Sequence, residues 1–136
     1  MDFYNQALQK STFNLDSTEI IILVPGSGCS GCITKAEHFI AKYFNKLNKV
    51  KFILTNIQSY KILRLKLGEE AFHSPLLYLD KNNVWYNTKN ENNIYPQVLF
   101  INNKKIIEII EISLYSKLNL EKSDKNTINP SQYPNL

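Results

Sequence analysis

The sequence has no long hydrophobic run. Its longest apolar stretch, Ile20 to Pro25, falls far short of the ~20 residues that a helix needs to cross a bilayer, so no membrane span is expected. Cysteine is scarce. The two residues present, Cys29 and Cys32, exclude a disulfide-rich scaffold. Arginine is scarcer still, with Arg64 alone. The lysines are scattered singly or in pairs such as Lys104-Lys105. The formal net charge of +4 therefore describes a solvated, lysine-rich surface, not the clustered and arginine-bearing face of a nucleic-acid binder, and no nucleic-acid partner is expected. The chain does not open with a positive segment followed by an apolar one, so no secretory signal is read. Taken as given the sequence is cytoplasmic; a periplasmic or membrane-tethered place would require an export signal to have been removed. No internal repeat is visible.

What remains is the composition of an ordinary globular protein. A length of 136 residues with 43% hydrophobic content fits one domain able to bury a core. Asparagine is frequent, as in Asn82-Asn83, Asn92-Asn93 and Asn102-Asn103, and reads as a compositional bias more than as chemistry. Residues 1–18 read as an N-terminal extension with a short helix carrying Phe3, Ala7 and Leu8, residues 19–119 as the domain, and residues 120–136 as a polar, flexible tail.

Within the domain, Ile20 to Val24 are five consecutive apolar and mostly β-branched residues, the pattern of a strand buried on both faces. Pro25 ends its ladder. After Gly26-Ser27-Gly28-Cys29-Ser30-Gly31-Cys32, the residues Ile33, Ala36, Ile40, Phe44 and Leu47 recur at helical spacing, with Lys35, Glu37, Lys42 and Lys46 at other positions. Val50 to Thr55 reads as a second core strand, and Ser59 to Leu67 as a helix closed by Gly68. This alternation predicts an α/β domain with a parallel strand pair. The second half is more β-like. Leu76 to Leu79 forms a short strand and residues 87–93 a loop. Gln97 to Ile101 and Lys104 to Ile112 form a hairpin about Asn102-Asn103, since asparagine tolerates the positive φ of such turns. A short helix over 113–119 follows.

Cys29-Ser30-Gly31-Cys32 is the one constellation with evident chemistry. It lies past a buried strand, where an amphipathic helix begins. Unpaired N–H groups and partial positive charge at a helix N-terminus stabilise a thiolate and lower its pKa at Cys29. Cys32, one turn further in, faces the core. The spacing brings the sulfurs within bridging reach, so one thiolate attacks a partner disulfide and the other resolves the mixed disulfide. Inert packing is the plainer alternative. A metal site is the sharper one, but the only other ligands of the right kind, His38 and His73, match no zinc-ligand spacing.

The order strand, CxxC, helix, strand, helix, proline, hairpin over residues 19–119 resembles the thioredoxin superfamily. The added strand Leu76 to Leu79 is similar to that of the exported, membrane-tethered thioredoxin-like reductants of bacteria. The resemblance implies a central mixed sheet with helices on both faces and thiol–disulfide oxidoreductase activity through Cys29 and Cys32. It requires no cofactor and no metal, and implies a protein disulfide or dithiol substrate, a separate redox partner and a monomeric chain. It also implies a cis-proline opposite the CxxC that presents the preceding residue's backbone to the substrate. Tyr95-Pro96 matches this element, with Ser74-Pro75 as competitor, so Gly28, Tyr95 and Pro96 are the expected substrate-binding residues. The sequence departs from the family pattern at three places: Gly28 stands where a tryptophan is usual, Ser30-Gly31 where Gly-Pro is usual, and Leu23 where a buried aspartate is usual. Trp85 is expected to pack its neighbouring loop. A second resemblance is to small copper chaperone domains, whose Gly-Met-Thr-Cys-x-x-Cys loop Gly26 to Ile33 partly matches; two thiolates suit a soft metal, but the methionine is missing. A thioredoxin-fold module that binds without turnover is the remaining alternative.

Overall fold

The computed structural model describes residues 2–112. The expected helix over 113–119 and the tail over 120–136 lie outside them. The described chain runs α1 (Asp2–Lys10), β1 (Ile20–Pro25), α2 (Ser30–Tyr43), β2 (Val50–Thr55), α3 (Tyr60–Leu67), α4 (Glu69–Phe72), β3 (Leu77–Leu79), a 3₁₀ turn (Glu91–Ile94), β4 (Gln97–Asn102) and β5 (Lys105–Glu111). The five strands form one mixed sheet in the order β3-β2-β1-β4-β5. β1, β2 and β3 are mutually parallel, and β4 and β5 run antiparallel to their neighbours. This is the α/β architecture expected from the alternation of elements. Among the described residues no helix is long and apolar enough to cross a membrane.

Both faces of the sheet are covered, which is why β1 has no polar alternation. Side chains alternate across a strand, so Ile20, Ile22 and Val24 enter a core with α2, α3 and α4. Ile21 and Leu23 enter a second core with α1 and Trp85. The N-terminal segment, read as an extension, thus contributes Tyr4 and Ala7 to the interior. Trp85 does more than pack its own loop: it is fully buried in that second core.

Asp80 places the tryptophan there. It lies at the end of β3 and is 1% exposed. Its carboxylate accepts from the Thr55 hydroxyl at 2.8 Å, the Val84 N–H at 3.1 Å and the Trp85 N–H at 2.8 Å. A buried carboxylate is tolerated only when its lone pairs are occupied in this way, and the satisfied acid pins the turn that inserts Trp85.

The hairpin is one residue out of the expected register. Its two-residue turn is Asn103-Lys104, both at positive φ (53° and 63°), with Asn102 paired to Lys105. That is the geometry of turns matching the strand twist. Asparagine also proves to be structural. Asn56 and Asn83 adopt positive φ of 51° and 55°, and the side chains of Asn14, Asn87 and Asn90 each accept from a backbone N–H two residues on, the turn-making role open to this side chain.

Candidate functional site

Parallel strands β1 and β2 both end at one edge of the sheet, and the CxxC follows β1 there. Cys29 is the N-cap of α2, in extended conformation (φ −68°, ψ 97°) and without a side-chain cap. The first-turn N–H groups that follow have no acceptor within the helix. Cys29 and Cys32 are joined, with an S–S distance of 2.02 Å and Cα atoms 5.3 Å apart. Cys29 is partly exposed, whereas Cys32 is 2% exposed. Cys29 is therefore the accessible member of the pair, and Cys32 is shielded by the fold.

The loop carrying Cys29 is held from two sides. The Cys29 N–H donates to the Ile94 carbonyl at 3.0 Å. The Asn56 amide donates to the Ser27 hydroxyl at 3.2 Å, and the Asn56 N–H donates to Asn83 Oδ1 at 3.1 Å. Gly28, at φ 139°, lies so close to the 3₁₀ turn that a Cβ there would stand 2.4 Å from the Ile94 oxygen. Ile94 directly precedes Tyr95-Pro96. One contact thus joins Gly28 and Cys29 to Ile94, the residue that precedes Tyr95-Pro96.

The expected cis bond is corrected. No peptide bond among the described residues is cis, so both Tyr95-Pro96 and Ser74-Pro75 are trans. The 3₁₀ turn already reverses the chain. Tyr95 then leaves it extended (φ −109°, ψ 145°) with its N–H on the Asn92 carbonyl, the conformation a residue before proline prefers. Pro96 is buried, and its carbonyl accepts from the Ile112 N–H at 2.7 Å. Pro75 is exposed and precedes the start of β3, at the sheet edge away from the CxxC.

Leu23 is buried in the second core, opposite Gln97 across the β1–β4 pair. Gln97 is itself buried, and its Oε1 accepts from the Tyr4 hydroxyl at 2.6 Å. Burial pushes the Tyr4 hydroxyl up to about 12. The polar pair beside Leu23 is therefore neutral. A cavity of ≈540 Å³ lined by Phe13, Thr18, Ile101 and Lys104 lies at the opposite sheet edge, by the β4–β5 turn, and takes no part in the cysteine site.

Two buried acids escape sequence reading, Asp80 and Glu37. Asp80 reads in sequence as a strand terminator. Glu37 reads as polar-face, yet it is 5% exposed. The signal was its phase: Ile33, Ala36, Glu37 and Ile40 are i, i+3, i+4 and i+7, the spacing of one buried stripe. Glu37 borders a groove between α2 and α3 that also touches Pro25 and Gly26. The two histidines do not join the cysteines: His38 is exposed on α2, and His73 pairs with Glu69 at 3.2 Å. Among the described residues no three or more His, Cys, Asp or Glu side chains come together as a metal-binding group. The chain matches no family model, no curated protein and no solved structure.

Proposed function

We propose that this chain is a thioredoxin-like thiol–disulfide oxidoreductase acting through Cys29 and Cys32. One observation carries the reading: the two cysteines lie at bonding distance at the start of α2, one residue partly exposed and the other buried. In the reduced chain, the Cys29 thiolate attacks one sulfur of a partner disulfide. A Cys29–partner disulfide forms, and the partner's other sulfur leaves as a thiolate and takes a proton. The Cys32 thiol gives up its proton, and its sulfur attacks that of Cys29. The second partner sulfur leaves, and the Cys29–Cys32 bond closes. Two electrons pass to the partner, and the reverse sequence oxidises a dithiol. The helix terminus favours thiolate at Cys29 in both directions.

Gly28 and Tyr95 form the docking edge in this reading, with the buried Pro96 behind them fixing the Tyr95 backbone. The Tyr95 N–H is already engaged by the Asn92 carbonyl, so an extended partner chain is received through the Tyr95 carbonyl. With Leu23 replacing the buried acid of the family pattern, the proton of Cys32 leaves through solvent or through the partner's own thiolate.

The test is the redox couple of the pair, equilibrated against glutathione with and without Cu(I) or Zn(II). A reversible two-electron couple unchanged by metal is expected. Alkylation of the reduced protein across pH should show one thiol titrating below ~7.5, and Cys32→Ser should accumulate mixed disulfides through Cys29. A chain that forms no reversible disulfide but holds metal tightly refutes the reading and makes it a metal carrier.

A further inference from the structure

The groove between α2 and α3 has a volume of ≈230 Å³. Its walls include Pro25, Gly26, Ile57 and Ile62, and Glu37 and Lys66 face each other across it. Glu37 is 95% removed from solvent by the complement of its 5% exposure. Its Oε1 has no hydrogen-bond donor. The Lys66 ammonium stands 3.4 Å away, near enough for charge attraction but out of hydrogen-bonding alignment. A buried carboxylate left in this state is costly. Lys66, by contrast, is half exposed, so its flexible stem can swing to water at little cost.

We infer that this groove is a recognition pocket for a basic side chain, lysine or arginine, of a polypeptide substrate, close in sequence to the cysteine that reacts with Cys29. Charge selects this occupant. The fixed group is a buried anion, and the group now opposite it is replaceable. The apolar walls suit the aliphatic stem that lysine and arginine bury while their charged end finds a partner. A metal ion is a poorer occupant, since the groove offers one carboxylate. Position supports a peptide: the groove reaches Pro25, the last residue of β1, and Gly26, which opens the loop that leads into Cys29. The incoming cation replaces Lys66 on Glu37, supplies the aligned hydrogen bond that Lys66 does not make, and holds the substrate cysteine beside Cys29. This inference rests on the thiol–disulfide reading and names the substrate class for the same site.

The experiment uses the full chain in reduced form. Cysteine peptides are activated as thiopyridyl disulfides, with lysine, norleucine or glutamate placed at each of three positions on either side of the cysteine. Exchange is read as thiopyridone release, and each rate is divided by the same protein's rate with dithiodipyridine. At one or more positions lysine should exceed norleucine by about tenfold, with glutamate slower still, as a desolvated charge pair requires. Glu37→Gln should bring the lysine-to-norleucine ratio to about one. Lys66→Met removes the internal competitor and should raise the ratio; it also carries the test if Glu37→Gln does not fold. A wild-type ratio within about twofold at every position, or one retained by Glu37→Gln, overturns the pocket while leaving the exchange reaction intact. A protein that reacts with none of the disulfides faster than glutathione does overturns the exchange reading and the pocket with it.

Discussion

Replacing Gly28 with alanine tests the contact that joins the cysteine loop to Tyr95-Pro96. Two costs combine. Gly28 sits at φ 139°, and holding a residue with a Cβ in such a sparsely populated region costs about 1–3 kcal/mol. The added carbon also meets the Ile94 oxygen at 2.4 Å and the Ile94 Cα at 2.6 Å, and both are backbone atoms that no rotamer change can move. The 3₁₀ turn must withdraw, and the Cys29 to Ile94 hydrogen bond goes with it, a further loss of about 0.5–1.5 kcal/mol. The expected total is about 2–4 kcal/mol, a drop of about 1–2 M in urea midpoint for a chain of this size. Gly68→Ala is the control. Gly68 also has positive φ, 87°, with ψ 160°, but a Cβ there meets nothing within 4 Å, so only the backbone cost of about 1–3 kcal/mol applies. Urea unfolding of both variants, with exchange rates alongside, separates crowding from torsion. Gly28→Ala should be the less stable and should slow disulfide exchange, because Tyr95-Pro96 moves with Ile94. Equal midpoints for the two variants and an unchanged exchange rate would refute the argument that this close approach holds the site.

Other outcomes follow from the interior. Asp80→Ala strands the Thr55 hydroxyl and two backbone donors, and should cost about 3 kcal/mol or more, read by thermal unfolding. Tyr4→Phe leaves the buried Gln97 oxygen without its donor and should cost about 1–3 kcal/mol. Because the folded chain keeps the Tyr4 proton up to about 12 while the unfolded chain releases it near the ordinary value of ~10, the contribution is full below pH 10 and is lost as pH rises through 12. Wild type should therefore lose stability over that range more steeply than Tyr4→Phe does. Trp85 is the single tryptophan and is fully buried, so its fluorescence should be blue-shifted and insensitive to iodide until the chain unfolds.

Much of the fold was legible because period and burial are coupled. The five-residue run of β1, mostly β-branched, has the pattern of a strand covered on both sides, and the fold covers it on both sides. The α2 stripe is legible from Ile33, Ala36 and Ile40; Glu37 lies in phase with it and is buried, although a charged side chain ordinarily marks the solvent face. The hairpin is legible in the sequence but its turn is not, since Asn102 and Asn103 are equally able to take positive φ and only the β4–β5 register, which pairs Asn102 with Lys105, chooses between them. The asparagines looked like composition because what they accept, a backbone N–H two residues on or a donor from a distant loop, leaves no spacing signature of its own.

The sequence by itself determined the α/β order of elements and put Cys29 and Cys32 at the junction of a buried strand and a helix, because these are local properties of periodicity and spacing. Tertiary structure alone decided what stands around that junction. Ile94 reaches Cys29 across 65 residues of chain, Asp80 finds Thr55, and Tyr4 finds Gln97 across 93. None of these pairs shares a local pattern. Asp80 and Gln97 hold their partners because pairing offsets the cost of burying a polar group, the Cys29 loop meets Ile94 because the sheet brings both to one edge, and the strand order that does both is a property of the whole chain.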